Sequence, residues 1–168
     1  MKSLLIFIHN QYQELELWYP KIRMEEANYK TVVAAPEAQK IYESKRGYPC
    51  KSDIAFKDVN VEDFSALLIP GGFSPDALRM DPKVLSLTKQ FFDEKKMIAF
   101  ICHGGWVPIS AKILKGKQVT GYIAIKDDLE NAGAIWKDEP VVIDGNLISS
   151  RTPADLHLFA KAMVDYRP

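Results

Sequence analysis

Only two cysteines, Cys50 and Cys102, and three histidines occur among 168 residues. A secreted scaffold stapled by disulfides needs a denser cysteine framework, so that class is excluded and a Cys50–Cys102 bridge is disfavoured. His9, His103 and His157 are widely separated and share no ligand spacing with either thiol, which argues against a metal site. No charge of one sign predominates. The 22 basic residues balance 22 acidic ones, leaving no global field to recruit nucleic acid or an anionic membrane. Nor are aromatics interleaved with a basic stripe, so nucleic-acid binding has no support. The apolar run in MKSLLIFIHNQYQ is too short for a secretory core or a bilayer span. Phosphate-binding glycine motifs are also missing, and GGWVPIS lacks the lysine such loops use. Repeats, low-complexity tracts and Pro/Gly/Ser-rich linkers are absent. Residues 1–168 therefore read as one domain of a soluble, cytoplasmic protein with free thiols.

What is present is an alternation of short apolar runs with helical periodicity. SLLIFIH (3–9), TVVAA (31–35), ALLIP (66–70) and MIAFI (97–101) read as strands buried on both sides. Leu15, Trp18, Tyr19 and Ile22 fall on one apolar face of a first helix. Asp81-Pro82 supplies a cap and first-turn proline for a helix carrying Val84, Thr88, Phe91 and Phe92. Residues 41–57, with KRGYP, form an extended excursion. VVIDGNLIS (141–149) reads as a hairpin turning at Asp144-Gly145. Thr152-Pro153-Ala154-Asp155 resembles a capping box before a helix whose stripe is Leu156, Phe159, Ala160, Met163 and Val164. The pattern predicts an α/β sandwich around a mostly parallel sheet, with sites beyond the carboxyl ends of the strands. Segments 9–16, 70–76 and 102–106 lie there.

ICHGGW stands out among them. A strand that bends sharply into a helix exposes the residue at the bend, and glycines after it allow close approach by other groups. A thiol at that place is expected to be acidified by the helix N-terminus. The plainer reading, a small buried hydrophobe, suits an isolated cysteine. Adjacency does not guarantee a bond between Cys102 and the His103 ring, whose backbone N–H is an alternative contributor as an oxyanion donor. Gly72, in Pro70-Gly71-Gly72 at another strand end, is a candidate second donor. Pro20 lacks an N–H and its ring clashes with the Glu16 carbonyl, so the first helix is expected to begin near Glu16 with Pro20 in its first turn. That puts the Glu16 carboxyl at the cleft edge, the alternative being an acid that merely complements the helix dipole.

These motifs carry a resemblance. ELELWYP (14–20), LLIPGGFSPDALR (67–79), ICHGGW (101–106) and AIKDDLENAGAIWKDEPVVIDGNLISSRTPADL (124–156) are similar, in order and across nearly the whole chain, to the short PfpI-like branch of the DJ-1/PfpI superfamily. The resemblance implies a flavodoxin-like three-layer α/β/α sandwich with Cys102 as nucleophile on a strand-to-helix elbow. It implies that Glu16 bonds the thiol, that the Gly72 and His103 amides form the oxyanion hole, and that Gly104 and Tyr122 line the substrate pocket. In that branch the histidine pairs with an acid from a neighbouring subunit. Here the position is Asp76, one methylene shorter than the usual glutamate. Gly105 replaces a customary proline, and Pro108 follows instead, which predicts a shifted helix start with the elbow kept.

The implied activity is that of a cofactor-independent cysteine enzyme acting on reactive carbonyls, in the manner of a glyoxalase III or deglycase. The alternatives are an intracellular cysteine peptidase and a redox-sensing or holdase stress protein. Implied partners are small carbonyl compounds, glycated groups or peptides, and a second copy of the chain in a homodimer or a trimer of dimers.

Overall fold

A computed structural model describes residues 2–167. The elements of its first half are β1 (Ser3–Phe7), α1 (Glu14–Glu26), β2 (Lys30–Ala35), β3 (Ile41–Glu43), β4 (Pro49–Lys51), β5 (Ile54–Ala55), β6 (Ala66–Ile69) and α2 (Ser74–Leu78). Those of its second half are α3 (Pro82–Asp93), β7 (Met97–Ile101), α4 (Trp106–Ser110), β8 (Gln118–Val119), α5 (Lys126–Asn131), β9 (Ile135–Trp136), β10 (Val141–Asp144), β11 (Leu147–Ser150) and α6 (Leu156–Asp165).

Seven strands form the central sheet in the order β10-β11-β7-β6-β1-β2-β5, parallel throughout except for the β10–β11 hairpin. The predicted buried runs are its centre because each feeds side chains to both faces. Leu5, Phe7, Leu67, Ile69, Ile98 and Phe100 meet Val84, Leu87 and Phe91 of α3, Val107 of α4 and Leu129 of α5. Their alternates Leu4, Ile6, Leu68, Ala99 and Ile101 meet Leu17 and Met24 of α1 and Phe159 and Met163 of α6. The result is the α/β sandwich that the pattern predicts, in the flavodoxin-like three-layer form that the resemblance implies. None of the helices among the described residues is long and apolar enough to cross a membrane.

The excursion at 41–57 resolves into a separate β3–β4 hairpin followed by β5, which returns to the sheet edge. Two helix starts differ from expectation. Gln13 caps α1, accepting the Glu16 N–H at 2.8 Å, so the helix begins at Glu14 and Pro20 sits well inside it. The helix survives because Pro20 deprives only one carbonyl of its bond and is itself buried. The buried face of α1 is Glu16, Leu17, Pro20 and Met24, whereas Leu15, Tyr19 and Ile22 are 54%, 42% and 52% exposed. Holding Glu16 against the sheet turns most of the predicted apolar face outward, and of its four residues only Trp18 still packs against the core. At the start of α6, Thr152 makes no side-chain cap bond, because Arg151 engages Asp155 instead, at 2.8 and 3.1 Å.

Candidate active site

At the end of β7 the chain bends at Cys102, whose φ of +59° lies in the left-handed region. A non-glycine residue there stores about 1–3 kcal/mol of strain, sustained by the packed strand behind it. A 3-10 turn over Cys102–Gly105 then leads into α4, which contains Pro108. The start of the α-helix is displaced as expected, and the elbow remains. Gly104 is small for a steric reason, since a Cβ there would collide with the carbonyl oxygen of Ile69 at the end of β6. Tyr122 closes the other side, its N–H donating to the Cys102 carbonyl at 3.2 Å.

Glu16 is fully buried beneath this bend. Its Oε2 accepts the Gly71 N–H at 2.7 Å, while Oε1 has no hydrogen-bond partner among the described residues. The carboxyl lies beside the thiol, close enough that its charge raises the thiol's pKa and that the two side chains interact directly. Burial pushes Glu16 up to about 8, against the pull of the Gly71 N–H and the charge of Lys45. Burial also pushes the Cys102 thiol up to about 12, helped by negative charge on Glu16 and opposed by N–H groups of His103 and Gly72 directed at the sulfur.

The expectation of a thiol acidified by a helix N-terminus is therefore corrected. The helix after the bend is five residues long and entered through a 3-10 turn, so it offers little dipole to offset burial. Burial favours the protonated form of both groups, and because they share one site, loss of the proton from Glu16 makes the thiol harder to ionise.

His103 is brought to the thiol, its Nδ1 lying 3.4 Å from Sγ, a contact that adjacency alone left open. The ring is packed between Trp106 and Tyr122, with centroids 5.1 and 5.0 Å away. Burial, and then the charge of Lys45, lower its pKa below the ordinary 6.5, so the imidazole is neutral near pH 7. Gly72 has φ +79°, and a Cβ there would stand 2.6 Å from the Gln13 nitrogen. Only glycine allows this loop to lie against residues 11–13 and still aim its N–H at Cys102.

Asp76 does not join this group within one chain. It is exposed on α2, and none of its side-chain atoms bonds His103. Cys50 is a buried free thiol of β4, pushed up to about 11 by burial, and His9 is satisfied locally through Asn10. Three contributors escaped the sequence reading. Gly71 binds Glu16, and a Cβ on it would lie 2.5 Å from Oε2 and 2.9 Å from the Cys102 Cβ. Its place in Pro-Gly-Gly was the available signal. Trp106, whose Nε1 donates to Asp128 at 3.0 Å, braces His103. Lys45 belongs to the β3–β4 hairpin, which no local pattern connects to the elbow.

A model described as the DJ-1/PfpI family matches residues 2–166. Deglycase PH1704 of Pyrococcus horikoshii is 42% identical over 162 residues, covering 96% of this chain and 97% of that protein. A Bacillus subtilis protein named "Putative cysteine protease YraA" is 45% identical over 158 residues, 94% of each chain. Among solved structures, a two-domain Anabaena variabilis protein with DJ-1/ThiJ/PfpI-like and ferritin-like domains matches with a TM-score of 0.96 at 36% identity. The match covers 98% of this chain and 47% of that one, so the present chain spans about half its length.

Proposed function

Because this chain belongs to the DJ-1/PfpI family, we propose that it is a cysteine-dependent enzyme acting on reactive carbonyl compounds, with Cys102 as nucleophile. The observation that carries this reading is the convergence on one sulfur of two backbone N–H groups, a neutral imidazole and a buried carboxyl. The deglycase name of the Pyrococcus horikoshii relative points to the same substrate class.

With a 2-oxoaldehyde such as methylglyoxal, sulfur adds to the aldehyde carbon while its proton passes to His103 Nδ1. The carbonyl electron pair moves to oxygen, where the Gly72 and His103 amides hold the charge. Such donors contribute about 100-fold or more each to the rate. Glu16, protonated at neutral pH, gives its proton to that oxygen, completing a hemithioacetal. The resulting carboxylate then carries the hydrogen from C1 to C2 as a proton, while a second proton passes from the first oxygen to the second. The product is a thioester of a 2-hydroxy acid. Water cleaves it, its second proton passing to the Glu16 carboxylate while sulfur retakes the proton held by His103. Thiol, imidazole and carboxyl are restored, the 2-hydroxy acid leaves as lactate after ionising in solvent, and the net change is addition of one water. No step requires a cofactor.

Amide hydrolysis is the second reading, favoured by the His103–Cys102 contact and by the name of the Bacillus subtilis relative. It needs an acid to protonate a departing amine. A neutral imidazole with no carboxylate bonded to it among the described residues is a poor one. An Asp76 from a second subunit would supply the missing charge.

Replacing Cys102 by alanine tests the core of the proposal. Lactate formation from methylglyoxal should fall at least about 100-fold with the fold intact by circular dichroism. Retained turnover would end the cysteine mechanism.

A further inference from the structure

Resting on this carbonyl chemistry, we propose that Lys45 is an anion subsite at the mouth of the site, selecting substrates that carry a carboxylate next to the reactive carbonyl portion. The backbone under Lys45 is tied into the same network that places the oxyanion donor. Its N–H donates to the Tyr12 carbonyl at 2.9 Å, and Tyr12 makes a bridge to Gly72. Gln11, one residue earlier, accepts the Phe73 N–H at 2.9 Å and donates to the Glu43 carbonyl at 2.7 Å.

The ammonium lies over the Phe73 ring, 5.1 Å from its centroid, and Phe73 directly follows Gly72. A cation in that position is held without being neutralised. Neighbouring cations are committed, Lys40 to Glu37 and Arg46 to Glu14, but among the described residues no carboxylate pairs with Lys45. Glu43 lines the same groove without forming that pair.

Lys45 is exposed and shared by two grooves. One, of about 870 Å³, includes Gln11 and Phe73, and the other, of about 310 Å³, includes Gln13, Arg46 and Glu14, the last held by Arg46 at 3.5 Å. Its field reaches the reacting groups, since its charge is felt at both Glu16 and His103. A counter-charge on fixed backbone, without an ion-pair partner among the described residues and seated over the residue that follows the oxyanion donor Gly72, is preorganised for an anion.

The test compares methylglyoxal, which is neutral, with 4,5-dioxopentanoate, the same 2-oxoaldehyde bearing a carboxylate, whose hydration product is 2-hydroxyglutarate. Wild-type enzyme should show a KM about fivefold lower for the carboxylate substrate, the upper end for a solvent-exposed ion pair. Lys45→Met should erase that difference, and Lys45→Arg should keep it. A Lys45→Met variant that impairs both substrates equally would overturn the proposal, because Lys45 would then act only through Glu16 and His103. Glutarate binding to Cys102→Ser protein, followed by calorimetry, separates the two inferences. Binding lost on Lys45→Met supports the subsite even if neither aldehyde is turned over, and binding unchanged by that substitution refutes it.

Discussion

Glu16→Gln should make the protein more stable at alkaline pH while damaging its activity. In the folded chain Glu16 is fully buried and its pKa is pushed up to about 8 from an ordinary 4.5. Below 4.5 the carboxyl is protonated whether or not the chain is folded, and it exerts no pH-dependent penalty. Between 4.5 and about 8 the unfolded chain releases a proton that the folded chain retains, so stability falls as pH rises. Above about 8 the full penalty is present and the dependence flattens. At about 1.4 kcal/mol per tenfold change in proton affinity, the whole rise corresponds to up to about 5 kcal/mol. Glutamine preserves the shape and the acceptor for the Gly71 N–H but has no proton to lose. Urea unfolding of both proteins at pH 5 and pH 9 measures the difference directly. The variant should gain on the wild type by several kcal/mol between the two pH values, and its turnover of methylglyoxal should fall sharply. Parallel stability profiles would refute the picture of Glu16 as a buried, protonated acid.

Gly72→Ala should reduce kcat about 100-fold or more, since its φ of +79° and a Cβ 2.6 Å from the Gln13 nitrogen force the loop to move the oxyanion donor. Urea unfolding should register about 1–3 kcal/mol of destabilisation for the same change. Asp128→Ala releases the Trp106 indole that braces His103, so kcat should drop about fivefold with little change in KM. The acid limb of the pH–rate profile should move upward toward the ordinary histidine value as water reaches the ring, and Asp128→Asn, which keeps an acceptor, should restore it. A profile that stays put would mean that Trp106 only packs.

The site was legible in part because its residue types are unusual for their positions. A thiol ending a wholly apolar strand, followed by glycines, marked Cys102, and Pro-Gly-Gly marked the loop opposite. The sign of the Cys102 shift was not legible. A local rule about helix N-termini predicts an acidic thiol, whereas the actual environment is set by burial and by Glu16, distant in the chain and adjacent in space. The same limit applies to α1. Periodicity located an apolar face, but Glu16, drawn to Gly71, decided which face turns inward.

By itself, the sequence determined the layered α/β architecture, because apolar runs of strand length alternating with helical stripes have few ways to hide from water. It also marked the elbow, since a thiol ending the apolar run Met97–Ile101 and followed by His103, Gly104 and Gly105 is a local signal, although the bend itself is held by the Ile69 carbonyl against Gly104 and by the Tyr122 N–H on the Cys102 carbonyl. Only tertiary structure decided the protonation of the thiol–carboxyl pair, the contact of His103 with sulfur, and the nearness of Lys45. The pair's protonation depends on burial by segments far apart in the chain, the His103 contact on a ring held between Trp106 and Tyr122, and the position of Lys45 on a hairpin outside the central sheet that docks on residues 11–12.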